Sequence, residues 1–143
     1  MERSGLLLPG GEGLQALVEQ AAKAFGTPMA AISVIDRHRQ WFKARVGLAV
    51  SETSRDVSFC AHAIHQPGEA LVVPDASEDR RFAGNPLVTG APFIRFYAGM
   101  PLVDQSGYAL GALCVLDAAP RPQGINMFDL LELARRAERL IGG

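Results

Sequence analysis

RFYAGMPLVDQSGYALGALCVLD, residues 95–117, reads as two strands joined by a short polar turn. Arg95 to Val103 and Tyr108 to Asp117 are apolar runs, and Asp104, Gln105, Ser106 and Gly107 between them form a four-residue turn with glycine where positive φ is easiest. Working upstream, Met29 to Asp36 and Gln40 to Gly47 are β-prone, and the polar Asp36, Arg37, His38 and Arg39 suit the tip of another antiparallel hairpin. On its second strand Phe42, Ala44 and Val46 are expected on one side, with Trp41, Lys43 and Arg45 on the other. Ala70 to Val73 adds a fifth strand.

The ends of the chain change period. Leu14, Leu17, Val18, Ala21, Ala22 and Phe25 recur at steps of three and four, which predicts an amphipathic helix over 13–25 ended by Gly26 and Pro28. Asn126 caps a last helix over 126–141 with Met127, Leu130, Ala134, Ala137 and Ile141 as its seam, able to dock on its own sheet or on a second copy. Ser58 can cap a short helix through about Gln66, stopped by Pro67 and Gly68. Pro74 to Pro92 is rich in turn formers, yet its Phe82, Leu87, Val88, Phe93 and Ile94 want burial. It reads as a structured lid with short helical turns. Only residues 1–13 and the connector Ala118 to Gly124 look flexible. The expected architecture is α+β, with helices on a central antiparallel sheet of five to six strands.

At 143 residues and 48% hydrophobic content the chain can bury the core of one domain, taken as 12–143 behind a flexible N-terminus at 1–11. Fourteen basic against fifteen acidic residues leave a net charge of −1, which speaks against nucleic acid and anionic membranes as partners. No apolar run approaches the roughly 20 residues of a membrane span, and Leu6 to Leu8 before Pro9 is too short for a signal peptide. Cys60 and Cys114 lack a paired spacing and fit a reducing compartment, so the expected location is cytoplasmic.

Six runs, in order, resemble the bacterial GAF domains attached to diguanylate cyclases and histidine kinases: Gln40 to Leu48, Arg55 to Ile64, Val73 to Ala76, Asp79 to Val88, Ile94 to Gly99 and Leu110 to Asp117. The resemblance spans about residues 12–120. It implies a sheet with the terminal helices on one face and a lidded pocket on the other, roofed by the middle helix and the lid. It also implies a sensory or regulatory module in signal transduction rather than an enzyme, with an unidentified small-molecule ligand or partner. No cofactor is named by it. The expected output passes through the terminal helices, which can pair into a homodimer, to a signalling protein in trans or to the rest of a longer sensor.

The candidate ligand-binding residues are Phe59, Cys60, Ile64, Phe82, Phe93 and Tyr97, with Asp75 and Arg95 as polar anchors; Ile94 and Phe96 lie beside them. The alternative is that these aromatics fill the space and leave a ligand-free interaction module. Trp41, Lys43 and Arg45 can present an aromatic and two cations to an anion, although a solvated strand face is the preferred reading. Cys60 and His62 stand two apart, which on a helix points them in nearly opposite directions, and His62 with His65 lacks further ligands, so no metal site is expected. Cys114 reads as an inert apolar thiol. A free methionine sulfoxide reductase is the enzymatic alternative within this resemblance. Cys60 matches one of its cysteines, but residues 84–97 contain none where the catalytic one is expected. The Asn-Lys and Asp-Glu signature of cyclic-nucleotide-binding relatives is missing, and Ala61 separates Cys60 from His62 where bilin-binding relatives place cysteine directly before histidine.

Overall fold

A computed structural model describes residues 12–35, 39–47, 52–54, 70–90, 93–103 and 109–142. The N-terminal segment 1–11, residues 36–38 and 104–107 of the expected hairpin tips, the short helix expected after Ser58, and His62 and His65 lie outside the described residues, while Arg39, expected in the first tip, opens a strand. The described chain runs α1 (Glu12–Phe25), β1 (Met29–Ile35), β2 (Arg39–Val46), β3 (Glu52–Ser54), β4 (Leu71–Val73), a lid, β5 (Phe96–Val103), β6 (Ala109–Asp117) and α3 (Met127–Gly142), where α2 (Pro86–Thr89) belongs to the lid. The six strands form one antiparallel sheet in the order β3-β2-β1-β6-β5-β4. The two expected hairpins are therefore joined side by side through β1 and β6, and β3 is the strand that the sequence pattern did not reveal.

Alternation along the strands sorts the core into two layers. Ala30, Ile32, Val34, Ala44, Phe96, Ala98, Met100, Leu102, Leu113 and Val115 pack against Leu14, Leu17, Val18 and Ala21 of α1 and Leu130, Leu133, Ala134 and Ala137 of α3. The seam of α3 thus docks on its own sheet, which leaves Phe128 and Leu140 as its exposed apolar residues. The end of α1 is closed by two reciprocal bonds, Gly26 N to Lys23 O and Thr27 N to Ala22 O, with Gly26 at φ 65°. Glycine takes that left-handed backbone without the steric cost a Cβ brings.

At the start of α3 the Asn126 side-chain oxygen accepts from Phe128 N at 2.9 Å and Asp129 N at 3.2 Å. Asn126→Ala removes both bonds. It should cost about 1 kcal/mol and lower the melting temperature by roughly 3 °C in a thermal scan; an unchanged melt would show that the cap does not hold the helix.

One expectation about β2 is overturned. Ile32 pairs with Ala44, but the next residue, Ser33, pairs with Phe42, so Lys43 is an extra residue in a β-bulge. The bulge reverses the alternation. Ala44 and Val46 face the helices, Phe42 faces the lid, and Arg45 stands in the row of Ala31 on the lid side. Past the end of β3 the outer edge of β2 is met by Gln15, whose side-chain amide donates to Arg45 O at 2.9 Å and accepts from Arg45 N at 3.3 Å. A second register shift at Val103 frees its N–H, which donates to Glu138 of α3 at 2.9 Å.

Candidate functional site

The lid begins where β4 ends, and its backbone is fixed by side chains that accept hydrogen bonds from it. Asp75 caps a 3-10 turn over Ala76–Glu78, its Oδ1 accepting from Ser77 N at 3.0 Å and Ser77 Oγ at 2.6 Å. Asn85 caps α2 by accepting from Leu87 N at 2.8 Å, and Pro86 stands at the first helical position, where its missing N–H costs nothing. Arg81 pairs with Asp79 at 2.7 Å, and that hydrogen bond raises the already high pKa of the guanidinium, which stays charged. Arg95 Nη1 donates to Val88 O at 3.0 Å and to Ile94 O at 3.1 Å, while its backbone oxygen accepts from Ala76 N.

Of the sequence-expected anchors, then, Asp75 and Arg95 each serve the lid's own backbone. Asp75 Oδ1 and Arg95 Nη1 are engaged in holding the roof. Phe82 is fully buried beneath the lid together with Val88 and Ile94, and Tyr97 is fully buried on the strand face that they cover. Phe93 departs from expectation: it is 50% exposed and has φ 60°, a left-handed backbone that turns its side chain away from the core. Phe96 departs as well, since alternation on β5 sends it to the helix face. Phe59, Cys60 and Ile64 lie outside the described residues.

The register gives the lid-side surface of the sheet a graded relief. The row nearest the lid is Met29, Leu116, Tyr97 and Val73, all large. The next is Arg45, Ala31, Cys114, Gly99 and Leu71, small at its centre. The third is Phe42, Ser33, Ala112 and Pro101. Ala31, Cys114, Gly99, Ser33 and Ala112 thus make a trough of small residues along β1, β6 and β5, between Phe42 and Leu71, with Ala31, Cys114, Ser33 and Ala112 all buried.

Two hydroxyls belong to this surface. Tyr97 lies along its strand over Gly99, so closely that a methyl group at Gly99 would stand 2.1 Å from the phenol oxygen. Ser33, 1% exposed, donates to Ala112 O over a long 3.4 Å. Neither Ser33 nor the trough stands out in the amino-acid sequence. The signal is present in the small residues at alternate positions of β1 and β6, but it needs the strand register to become a surface. Among the described residues no group of three His, Cys, Asp or Glu is placed to hold a metal, and Cys114 is buried in the trough floor.

Comparison with known proteins places this arrangement. The profile of the family described as "GAF domain" matches residues 11–139. Cyclic di-GMP phosphodiesterase PA2567 of Pseudomonas aeruginosa is 47% identical over 122 residues, covering 85% of this chain and 21% of that protein, so the chain spans about a fifth of the relative's length. Among solved structures, the type II free methionine-R-sulfoxide reductase of Thermoplasma acidophilum superposes with a TM-score of 0.69 at 14% identity, covering 90% of this chain and 86% of that one. The GAF domain of an Acinetobacter phosphoenolpyruvate-protein phosphotransferase gives 0.67 at 19% identity, covering 89% and 78%. At these identities the two structures share the fold alone. No described helix is long and apolar enough to cross a membrane.

Proposed function

Because the chain belongs to the GAF domain family, we propose that it is the sensory module of a cyclic di-GMP signalling system, regulatory rather than catalytic. A small molecule settles in the lid-side trough, changes how the lid sits, and the change passes across the sheet to α1 and α3. These helices set the activity of a unit that makes or degrades cyclic di-GMP. The link to cyclic di-GMP is supported by the 47% identity to a segment of the Pseudomonas phosphodiesterase. The observation that carries the sensor reading is the step from large to small side chains along the lid face, which would give a ligand a floor of Ala31, Ser33 and Ala112 beside the Tyr97 ring, under a roof built from ordered turns.

The first test is native mass spectrometry of protein purified from its own host, run beside a denatured sample. A small molecule released only on denaturation is the expected result. Protein that carries nothing, and takes up nothing from a small-molecule extract of that host, would overturn the ligand reading. Tyr97→Phe keeps the ring and removes the hydroxyl, so it should weaken the ligand by about 1 to 3 kcal/mol, the cost of an unpaired buried polar group. Unchanged occupancy in that variant moves the site out of the trough. The cyclic di-GMP link is tested by placing this chain in the phosphodiesterase at the segment it matches. Hydrolysis that depends on Tyr97 supports the reading, and a rate indifferent to Tyr97→Phe counts against it.

A ligand-free interaction module is the second reading, favoured by Phe128 and Leu140 standing exposed on α3. With the inner seams of α1 and α3 used within the chain, a homodimer would form through those outer residues. Sedimentation of the native chain and of Phe128→Ser should then differ, the variant running as a monomer at micromolar concentration; a native monomer removes the dimer.

A further inference from the structure

The connector after β6, which the sequence presents as a loose stretch of alanine, proline and glycine, carries a residue with partners in three parts of the fold. Arg121 donates to Phe25 O at 3.0 Å, the last carbonyl of α1, and at 2.7 Å to the carbonyl of Gly26, which follows it. Its Nε and Nη2 also reach Asp117 Oδ2 at 3.1 and 2.8 Å, and its guanidinium lies 5.8 Å from the centre of the Phe96 ring. The backbone N–H of the same residue donates to Pro74 O at 3.0 Å, where the lid begins. Asp117 is shared in turn: its backbone oxygen accepts at 2.9 Å from the N–H of Arg95, the residue that holds Val88 and Ile94. The start and the end of the lid therefore converge on one ion pair, and that pair grips the end of a terminal helix from the opposite layer.

A planar fork suits this position because it donates in several directions at once, and a cation is favoured at a helix C-terminus by the helix dipole. We propose that Arg121 is the coupling residue of the domain: through Pro74 on the lid and the Phe25 and Gly26 carbonyls where α1 ends, it makes the order of the lid and the order of the end of α1 depend on each other. The inference rests on the sensor reading for its purpose, but its test needs no ligand.

The test is hydrogen exchange in a double-mutant cycle. Asp75→Ala loosens the first turn of the lid, reported by the amides of Glu78 and Asp79, which donate to Asp75 O and Ala76 O. The reporter on α1 is Thr27 N–H, bonded to Ala22 O. In the native background Asp75→Ala should speed Thr27 exchange about fivefold, the low end of coupling between sites, and with Arg121→Ala the factor should fall to about one while Asp79 still responds. Arg121→Lys keeps the charge and the stem but not the fork; it should also uncouple, and it covers the case in which the alanine variant does not fold. A purely structural clamp would raise Thr27 exchange in the Arg121 variants yet leave its response to Asp75→Ala intact. That result, or a Thr27 amide that ignores the lid in the native background, overturns the proposal. Neither outcome bears on whether a ligand binds, which the mass-spectrometric test decides separately.

Discussion

Phe82→Ala should destabilise the protein by about 3 to 5 kcal/mol, whereas Phe93→Ala, eleven positions on in the same lid, should stay within about 0.5 kcal/mol of native. Phe82 has no exposed surface and packs in one cluster with Val88, Ile94, Tyr97, Leu116 and Met29. Removing its ring leaves a void in the layer that joins lid to sheet, and a close-packed neighbourhood collapses into such a void only in part. Phe93 is half exposed on a left-handed backbone, so its loss opens no cavity. Equilibrium denaturation of the two variants checks the contrast. Equal losses would mean that Phe93 is buried in solution, and a mild Phe82 variant would mean that the lid does not pack as a core. The comparison also bears on the proposed function, in which the lid passes the binding of a ligand to the rest of the fold through this packed layer.

The contrast between these phenylalanines marks where the sequence stops being readable. Terminal helices and hairpins were legible because their periods, 3.6 and 2, are properties of the chain itself: Leu14 to Phe25, Met29 to Gly47 and Arg95 to Asp117 could be placed before any contact was known. The lid was legible as a lid because Pro, Gly, Asp and Asn do there what their backbones favour, although the caps at Asp75 and Asn85 were not assigned from the pattern. What escaped depends on relations between distant residues. The bulge at Lys43 carries no glycine or proline to betray it, yet it moves Phe42 from the helix face to the lid face. Asp75 and Arg95 have the chemistry of ligand anchors, and only the positions of Ser77 N and the Val88 carbonyl show that Asp75 Oδ1 and Arg95 Nη1 also hold the lid's backbone. Ser33 looked like one more residue of an apolar strand until the register set it beside Ala112 and Phe42. The connector holding Arg121 looked flexible because proline and glycine dominate it, while its partners stand 47 and 96 residues away in sequence, at Pro74 and Phe25.

Gly111→Ala is expected to be the most damaging single methyl group in the sheet. A Cβ at Gly111 would stand 1.8 Å from Ser33 O, 2.8 Å from Ser33 C and 3.1 Å from the Val34 Cα. All three atoms are backbone of β1, so no rotamer change relieves the clash, and β1 and β6, the central pair of the sheet, must separate around it. Over-packing in a core costs typically 1 to 3 kcal/mol, and an immovable partner puts this case at about 3 kcal/mol or above, a fall of roughly 10 °C in melting temperature for a domain of this size. Gly84→Ala is the control: nothing stands within 4 Å of the added carbon, and Gly84 is not among the glycines of positive φ. Its stability should hold or rise by about 0.4 to 1 kcal/mol through the loss of unfolded-state freedom. If Gly111→Ala melts like the native chain, β1 and β6 do not approach as closely as their register demands. The trough, which depends on Ser33 and Ala112 standing opposite each other in that register, would then lose its floor. If it melts as expected but a folded remnant at low temperature no longer retains the small molecule, the floor of the site and the centre of the sheet are one structure, and the ligand reading gains an independent support.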